Sequence, residues 1–139
     1  MITEARRGGN AEKNAMELIE AELSHQIIGC CIEVHRVLGP GFLEKVYEEA
    51  VAVEFARARL AFERQKLVVV YYADQPVGEH RLDFMVEGRV VLELKACRAL
   101  EDVHFAIARS YLKATGCTLA LVVNFAQPKV EIRRVILTA

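Results

Sequence analysis

A chain of 139 residues with an apolar fraction of 53% is long enough to bury one hydrophobic core, so we expect a single domain. Its formal net charge of -1 gives no overall basic field, so any contact with nucleic acid must use a local basic patch or a metal ion that offsets carboxylates. No apolar run reaches the roughly 20 residues that span a bilayer, and the opening residues lack the apolar core of a signal peptide, so we expect a cytoplasmic protein without membrane contact.

The cysteines indicate neither a zinc site nor a disulfide framework. None of the four forms a CxxC pair, and all lie in apolar segments, which favours buried, reduced thiols. They are Cys30, Cys31, Cys97 and Cys117. Cys97 follows Lys95 by two residues, but without an evident His and acid pairing it is predicted to be a packed small side chain rather than a nucleophile.

The N-terminal half predicts two helices after a flexible terminus. Residues 1–10 are polar and contain two adjacent glycines, so we place the folded domain at residues 11–139. Apolar residues recur at three- and four-residue intervals over 11–38, as in an amphipathic helix, and residues 39–41 (GPG) would end it. A second helix is predicted over 42–60. Its predicted buried face consists of Leu43, Val46, Tyr47, Ala50, Val53 and Phe55, and its predicted polar face of Glu48, Arg57 and Arg59.

The remaining chain predicts a β-meander, a helix and two more strands. Runs rich in Val, Leu and Tyr, separated by turn residues, cover 66–72, 77–86 and 89–96. A helix over 101–115 with Gly116 as its C-cap, then strands over 118–125 and 130–137, complete the order ααβββαββ. The predicted fold class is α/β.

The charged residues of the hairpin formed by the strands over 77–86 and 89–96 define how these two strands pair. A three-residue connection, 87–89, pairs Val86 with Val90 and collects every charged side chain on one face, whereas a two-residue turn would mix charge into both faces. In the favoured register the apolar face holds Leu82, Phe84, Leu92 and Leu94. On the opposite face Met85 lies across from Val91, Asp83 from Glu93, and Arg81 from Lys95.

Two carboxylates directly across from each other repel unless a cation neutralises them. Oxygen donors from Asp83 and Glu93, completed by water and a substrate phosphate, suit Mg²⁺ or Mn²⁺. Lys95, on the same face, could hold the attacking water or stabilise charge on the phosphate. The alternative is a salt-bridge cluster with Arg81 on a solvated face. The otherwise apolar strand around Glu93 and Lys95 favours a functional site.

With these residues identified, GFLEKVY at 41–47 and RLDFMVEGRVVLELKA at 81–96 resemble the GxxExxY family of the PD-(D/E)XK nuclease superfamily. The resemblance covers about residues 23–136, including ERQ at 63–65, LKATG at 112–116 and VNF at 123–125. It implies a restriction-endonuclease-like fold with a mixed sheet, whose acidic hairpin faces a metal ion and a nucleic-acid phosphate. It also allows a homodimer.

The resemblance implies that Asp83 and Glu93 are metal ligands, that Lys95 is catalytic, and that Glu44 is a third carboxylate of the site. From its position alone, Glu44 has an alternative role outside the site, because a carboxylate in the first turn of a helix also compensates the helix dipole. Tyr47, one turn later, either hydrogen-bonds to the carboxylates or belongs to the core.

Two histidines also match the family. His104 is interpreted as a residue behind the metal ligands rather than a ligand, and His35 as either a partner of a helix C-terminus or a site residue. The chain departs from the pattern at Ile107, where relatives often carry glutamine four positions before the tyrosine that is Tyr111 here.

Together these features predict a Mg²⁺-dependent phosphodiesterase acting on DNA or RNA. The alternative is a catalytically inactive module of the same fold that binds nucleic acid or protein. A nuclease would also need basic residues around the pocket. The candidates are Arg64, Lys66, Arg98, Arg109 and Lys113.

Overall fold

The structure is a computed structural model and describes residues 19–138. Its elements are α1 (Ala21–Leu38), α2 (Glu44–Arg57), β1 (Phe62–Tyr72), β2 (Gln75–Val86), β3 (Val90–Lys95), α3 (Asp102–Thr115), β4 (Leu119–Asn124) and β5 (Glu131–Ile136). The predicted α/β class and the order ααβββαββ are confirmed. The predicted flexible terminus and the first residues of the predicted first helix lie outside the described residues. Within residues 19–138, no helix has the length and apolar character needed to cross a membrane.

The strands form one mixed sheet in the order β1-β2-β3-β4-β5. Neighbouring strands are antiparallel except β3 and β4, which pair in parallel over their whole length, from Val90↔Leu119 to Lys95↔Asn124. A parallel pair needs a crossover connection, and α3 provides it. The carboxyl ends of β3 and β4 therefore lie side by side at one edge of the sheet, where α/β proteins commonly bind ligands.

The predicted hairpin register is confirmed where the strands pair. Val86 lies opposite Val90 and Phe84 opposite Leu92. Glu87 and Gly88 take positive φ angles of 52° and 65°, and the Arg89 amide donates to the Val86 carbonyl at 3.0 Å. A glutamate is strained in this region of backbone space. Reciprocal bonds with Ala61 hold it there, because the Glu87 amide donates to the Ala61 carbonyl and the Ala61 amide donates to Glu87 Oε1, both at 2.8 Å.

Both faces of the sheet are buried, and this corrects the predicted face of Leu82 and the predicted exposure of the face that holds Met85 and Val91. Phe84 packs in the core beneath α1 and α2, together with Leu92 and Leu94. Leu82 was predicted beside Phe84, but it packs with Met85 and Val91 in a second core beneath α3. Met85 and Val91, expected on a charged face, are therefore buried as well.

The physical reason for this correction is a break in alternation at Asp83. Residues two apart on a regular strand share a face, yet Leu82 and Phe84 lie in different cores. Opposite Asp83, Gln65 of β1 has a positive φ of 50°, and the paired residues are Arg64 with Phe84 and Lys66 with Leu82. The irregularity turns the Asp83 side chain toward β3.

Helix α2 is shorter than predicted and packs through a different stripe. Its buried residues are Tyr47, Glu48, Val51 and Phe55. The prediction was wrong for Leu43, which is 80% exposed, and for Val46 and Val53, which are also exposed. Tyr47, Val51 and Phe55 recur every four residues, and this stripe faces the sheet. Glu48, assigned to the polar face, is consequently buried beside it.

The cysteines are all free thiols in the structure. Cys30 and Cys31 are buried as predicted, and burial raises the pKa of both. Cys97 and Cys117 are only half-buried.

Candidate active site

Asp83 and Glu93 meet where β2 and β3 diverge. Beyond the Phe84–Leu92 pair, hydrogen bonds between backbone and side chain replace the backbone hydrogen bonds between the two strands. The Asp83 amide donates to Glu93 Oε1 at 3.2 Å, and the Leu94 amide donates to Asp83 Oδ2 at 2.8 Å. Glu93 is only 6% exposed. Each carboxyl group thus accepts a hydrogen bond from a backbone amide of the other strand. This arrangement, and not the direct ladder pairing that alternation predicts, makes the two carboxyl groups adjacent.

The surroundings of this pair disfavour the ionised form of both carboxyl groups. Burial raises the pKa of Glu93 to about 9, and the neighbouring Asp83 charge adds to the effect. Burial also raises the pKa of Asp83, although the Leu94 amide and the Glu93 carboxyl oppose the shift by hydrogen bonding to the carboxylate. Lys95 is the cation that favours the ionised form of both acids. At neutral pH the pair therefore holds a proton, unless a cation takes its place.

Glu44 approaches the pair from the first turn of α2. Burial raises its pKa first, and the charge of Asp83 raises it further, while Lys95 and a hydrogen bond from the Ala96 amide oppose the shift. The helix gains no side-chain cap at Leu43, its N-cap residue. Glu44 thus lies within the electrostatic reach of the acidic pair, and the alternative of dipole compensation accounts for only part of its environment.

A cavity of about 430 Å³ opens beside Glu44 and Asp83. Its lining residues are Glu44, Lys45, Glu48, Gln65, Asp83 and Leu94. Glu48 is buried there, and it accepts hydrogen bonds from Lys45 at 2.9 Å, from Arg64 at 2.8 Å and from the Gln65 amide. Burial alone would raise the pKa of Glu48, but these donors outweigh it and hold the pKa below its usual value.

Sequence reasoning assigned no role in the site to Glu48 and Gln65. The Gln65 amide nitrogen reaches Glu48 Oε1 and lies 3.4 Å from Asp83 Oδ1, so it links the helix to the acidic strand. Two signals were present in the sequence. Glu48 follows Glu44 by four residues and so shares its helix face, and Gln65 belongs to the ERQ segment of the resemblance.

The donor chemistry of the site fits a hard divalent cation. Asp83, Glu93 and Glu44 offer carboxylate oxygens, which Mg²⁺ and Mn²⁺ prefer, and Mg²⁺ usually takes only one or two protein carboxylates and keeps several waters. Among residues 19–138, no three His, Cys, Asp or Glu side chains form a ready-made ion cage. Backbone amides hold one oxygen of Asp83 and one of Glu93, and the Gln65 amide nitrogen lies 3.4 Å from the second Asp83 oxygen.

A sequence model of the PD-(D/E)XK nuclease superfamily matches residues 21–135. The match covers most of the chain and includes both strands of the acidic hairpin. The chain belongs to this superfamily. Neither the curated proteins nor the solved structures contain a match to it. Membership supports nuclease activity, a nucleic-acid substrate and the use of a divalent metal ion, as is usual for PD-(D/E)XK nucleases.

Within this PD-(D/E)XK domain, Tyr47 and His35 lie in the packing around Phe125 rather than among the carboxylates. The Tyr47 hydroxyl donates to the Gly39 carbonyl at 2.6 Å, and its ring stacks on Phe125 with centroids 4.5 Å apart. His35 Nε2 lies 2.8 Å from the Gln127 carbonyl oxygen. Tyr47 fixes the turn that precedes Glu44, because its hydroxyl also accepts from the Phe42 amide, whereas His35 links α1 to the β4–β5 connection.

His104 has a local structural role in the PD-(D/E)XK domain. Its Nδ1 accepts a hydrogen bond from the Glu101 amide at 2.9 Å, which completes a capping box at the start of α3. One turn later, Ile107 is 38% exposed. Tyr111 follows, and burial raises the pKa of its phenol, with further contributions from the charges of Glu93 and Asp83.

Asn124, from the VNF segment, anchors the end of the ELK strand. It is fully buried at the carboxyl end of β4. Its Oδ1 accepts from the Cys97 amide at 3.1 Å, and its Nδ2 donates to the Cys97 carbonyl at 2.8 Å. Because these bonds fix the chain immediately after Lys95 and Ala96, they also hold the amide that donates to Glu44.

The five basic candidates divide into two groups. Arg64 pairs with Glu48 at 2.8 Å and with Glu49 at 2.6 Å, so it is committed to the site's own acids. Lys66 pairs with Glu63 at 2.8 Å. Arg98, Arg109 and Lys113 are exposed and form no ion pair with any acid in the part of the chain that the structure describes.

Proposed function

We propose that this protein is a Mg²⁺- or Mn²⁺-dependent nuclease that hydrolyses phosphodiester bonds in DNA or RNA. The observation that carries the proposal is the Asp83–Glu93 pair, in which a half-buried carboxyl adjoins a buried one and the pKa of Glu93 is raised to about 9. Burying two adjacent acids lowers the stability of the folded protein. Such an arrangement is typical of a site where a bound ligand offsets that loss of stability. Superfamily membership supports a metal ion with a nucleic-acid phosphate as that ligand.

In this proposal each residue has a defined task. Asp83 and Glu93 would hold the ion, and Glu44 would contribute to its binding from α2, directly or through water. A bound ion supplies Lewis-acid activation of water and neutralises charge on the phosphate. Lys95 orients the attacking water and stabilises the charge that develops on the phosphate oxygens. Gln65 and Glu48 hold Asp83 in position through the amide contacts already described.

We further propose that the chain is a member of the GxxExxY family. Two features support this assignment. The motif glutamate, Glu44, lies at the acidic pair, and the motif tyrosine, Tyr47, fastens the preceding turn to the core. The motif would then combine one site residue with one residue that positions its helix.

Metal-dependent cleavage of single- and double-stranded DNA and RNA tests the proposed function directly. The wild type should cleave at least one of these substrates with Mg²⁺ or Mn²⁺ and none with EDTA, and Glu93→Ala should reduce the rate by at least about 100-fold, because it removes a metal ligand. Glu63→Gln is a matched control, since Glu63 is an exposed acid outside the site that pairs with Lys66. Cleavage that survives Glu93→Ala would contradict the proposal.

A second candidate function, a binding module without turnover, is favoured by Ile107. Its exposed apolar side chain stands where relatives often carry a glutamine, so a polar group that orients substrate or water is replaced. Restoring it with Ile107→Gln should raise the cleavage rate, by about tenfold if one oriented hydrogen bond is regained. Because the position is exposed, the expected change in the free energy of unfolding is within about 0.5 kcal/mol. A wild type that binds nucleic acid without cleaving it, together with an active Ile107→Gln, would establish the module.

A further inference from the structure

A second cavity, of about 390 Å³, lies between the β1–β2 hairpin and α3. Tyr71 and His80 line it from the hairpin, and Ser110 and Lys113 line it from α3, with small apolar side chains completing the wall. β2 pairs with β3 only through its last three residues, so the rest of this long hairpin extends beyond β3. We refer to this cavity as the arm cleft.

The arm cleft adjoins the acidic site through one side chain. The rings of His80 and Tyr111 meet edge to face, with centroids 5.1 Å apart. The charges of Glu93 and Asp83 add to burial in raising the pKa of the Tyr111 phenol. Tyr111 is thus in contact with the wall of the arm cleft and in electrostatic range of the acidic pair.

The charges of the two cavities differ in sign. Three acids line the cavity at the acidic site, whereas no carboxylate from the described part of the chain lines the arm cleft. Lys113 stands at the cleft and Arg109 lies one helical turn before it, and neither pairs with an acid among residues 19–138. Tyr71, at the cleft wall, is 65% exposed. An exposed aromatic face beside free cations is the combination that binds an unpaired base and its phosphate.

We propose that the arm cleft binds one unpaired nucleotide of the substrate, with Tyr71 stacking on the base and Lys113 contacting its phosphate. The inference rests on the proposed nuclease function and narrows its substrate to single strands, or to duplexes with a splayed end. A base inside a duplex is paired and stacked on its neighbours, so its face is not available to Tyr71.

Binding and cleavage of a fluorescein-labelled single-stranded oligonucleotide and of its duplex test the inference. Tyr71→Ala should weaken single-strand binding about tenfold or more, and raise KM more than it lowers kcat, because stacking contributes to binding rather than chemistry. Tyr71→Phe should restore affinity. Lys113→Ala should reduce the slope of log K against log salt by about 0.7, the value for one phosphate contact on a single strand.

Matched controls come from neighbouring and remote residues. Tyr72→Ala removes a neighbouring, more exposed tyrosine that does not line the cleft, and Arg57→Ala removes a cation on α2, so both should leave single-strand binding unchanged. Oligonucleotides carrying one abasic position, moved along the strand, should reveal one position at which wild type loses affinity and Tyr71→Ala does not.

The outcomes separate the two proposals. Equal effects of Tyr71→Ala and Tyr72→Ala, in an enzyme that still cleaves with metal, would overturn the arm cleft and leave the nuclease intact. A protein that prefers blunt duplex to single strand would overturn it as well. A protein that neither binds nor cleaves any nucleic acid would overturn both.

Discussion

Lys95→Ala should lower the cleavage rate by at least about 100-fold while the protein still gains thermal stability from Mg²⁺. The expected loss follows from the task of the ammonium group, which stabilises charge that develops in the transition state. The lysine is a cation, so it is not a metal ligand, and an ion held by Asp83 and Glu93 should bind without it. The measurements are single-turnover cleavage and the melting temperature with and without Mg²⁺.

Two variants bracket this result. Asp83→Asn removes a proposed ligand, so it should lose both cleavage and the Mg²⁺-dependent rise in melting temperature, which for an ion that binds only the folded state follows RT ln(1 + [L]/Kd). Lys129→Ala, an exposed lysine in the β4–β5 connection, should leave both properties unchanged. If Lys95→Ala cleaved at the wild-type rate, the lysine would be a salt-bridge partner of the two acids and not a catalytic group.

The register of the acidic hairpin was predictable because the sequence separates charge from apolar residues at a spacing of two. Only a three-residue connection keeps Asp83, Glu93 and Lys95 together, and Val86 is indeed opposite Val90. The order of helices and strands was predictable from the glycines that separate them. Gly39, Gly88 and Gly116 all stand at positive φ, where the chain ends a helix or turns between strands.

The detailed shape of the site was not predictable from alternation. The break at Asp83 depends on Gln65, which lies 18 residues earlier and takes a positive φ on the neighbouring strand. Alternation assumes regular pairing, so it assigned Leu82 to the wrong core. It also could not show that the Leu94 amide would bind the Asp83 carboxylate in place of a ladder bond.

The burial of Glu48 shows the same limit on the helical side. A glutamate on an amphipathic helix is normally assigned to the solvated face. Here Arg64 and Gln65, from β1, supply the hydrogen bonds that make burial tolerable, and both are remote from α2 in sequence. Helical periodicity contains no information about such partners, whereas the four-residue spacing from Glu44 does indicate that the two acids share a face.

The metal-free protein should lose stability as the pH rises between about 5 and 9, and Glu93→Gln should remove most of that loss. The pKa of Glu93 is raised from 4.5 to about 9 by burial and by Asp83. Within this window the folded state retains a proton that the unfolded chain has released, so the free energy of unfolding falls with pH, by up to about 1.4 kcal/mol per unit. Glu48 has the opposite sign, because its lowered pKa makes its stabilisation disappear only in acid.

Urea unfolding from pH 5 to 9, in EDTA and in Mg²⁺, measures how the free energy of unfolding depends on pH and on the metal ion. Mg²⁺ should stabilise the wild type more at pH 8 than at pH 6, because the ion replaces the proton that the pair would otherwise need. Glu93→Gln should be more stable than wild type at pH 8 in EDTA and should gain less from Mg²⁺, whereas Glu63→Gln should keep the wild-type slope. A wild-type profile that is flat in EDTA would mean that Lys95 and the backbone amides already satisfy the two carboxylates, and that the acidic pair is a structural ion cluster.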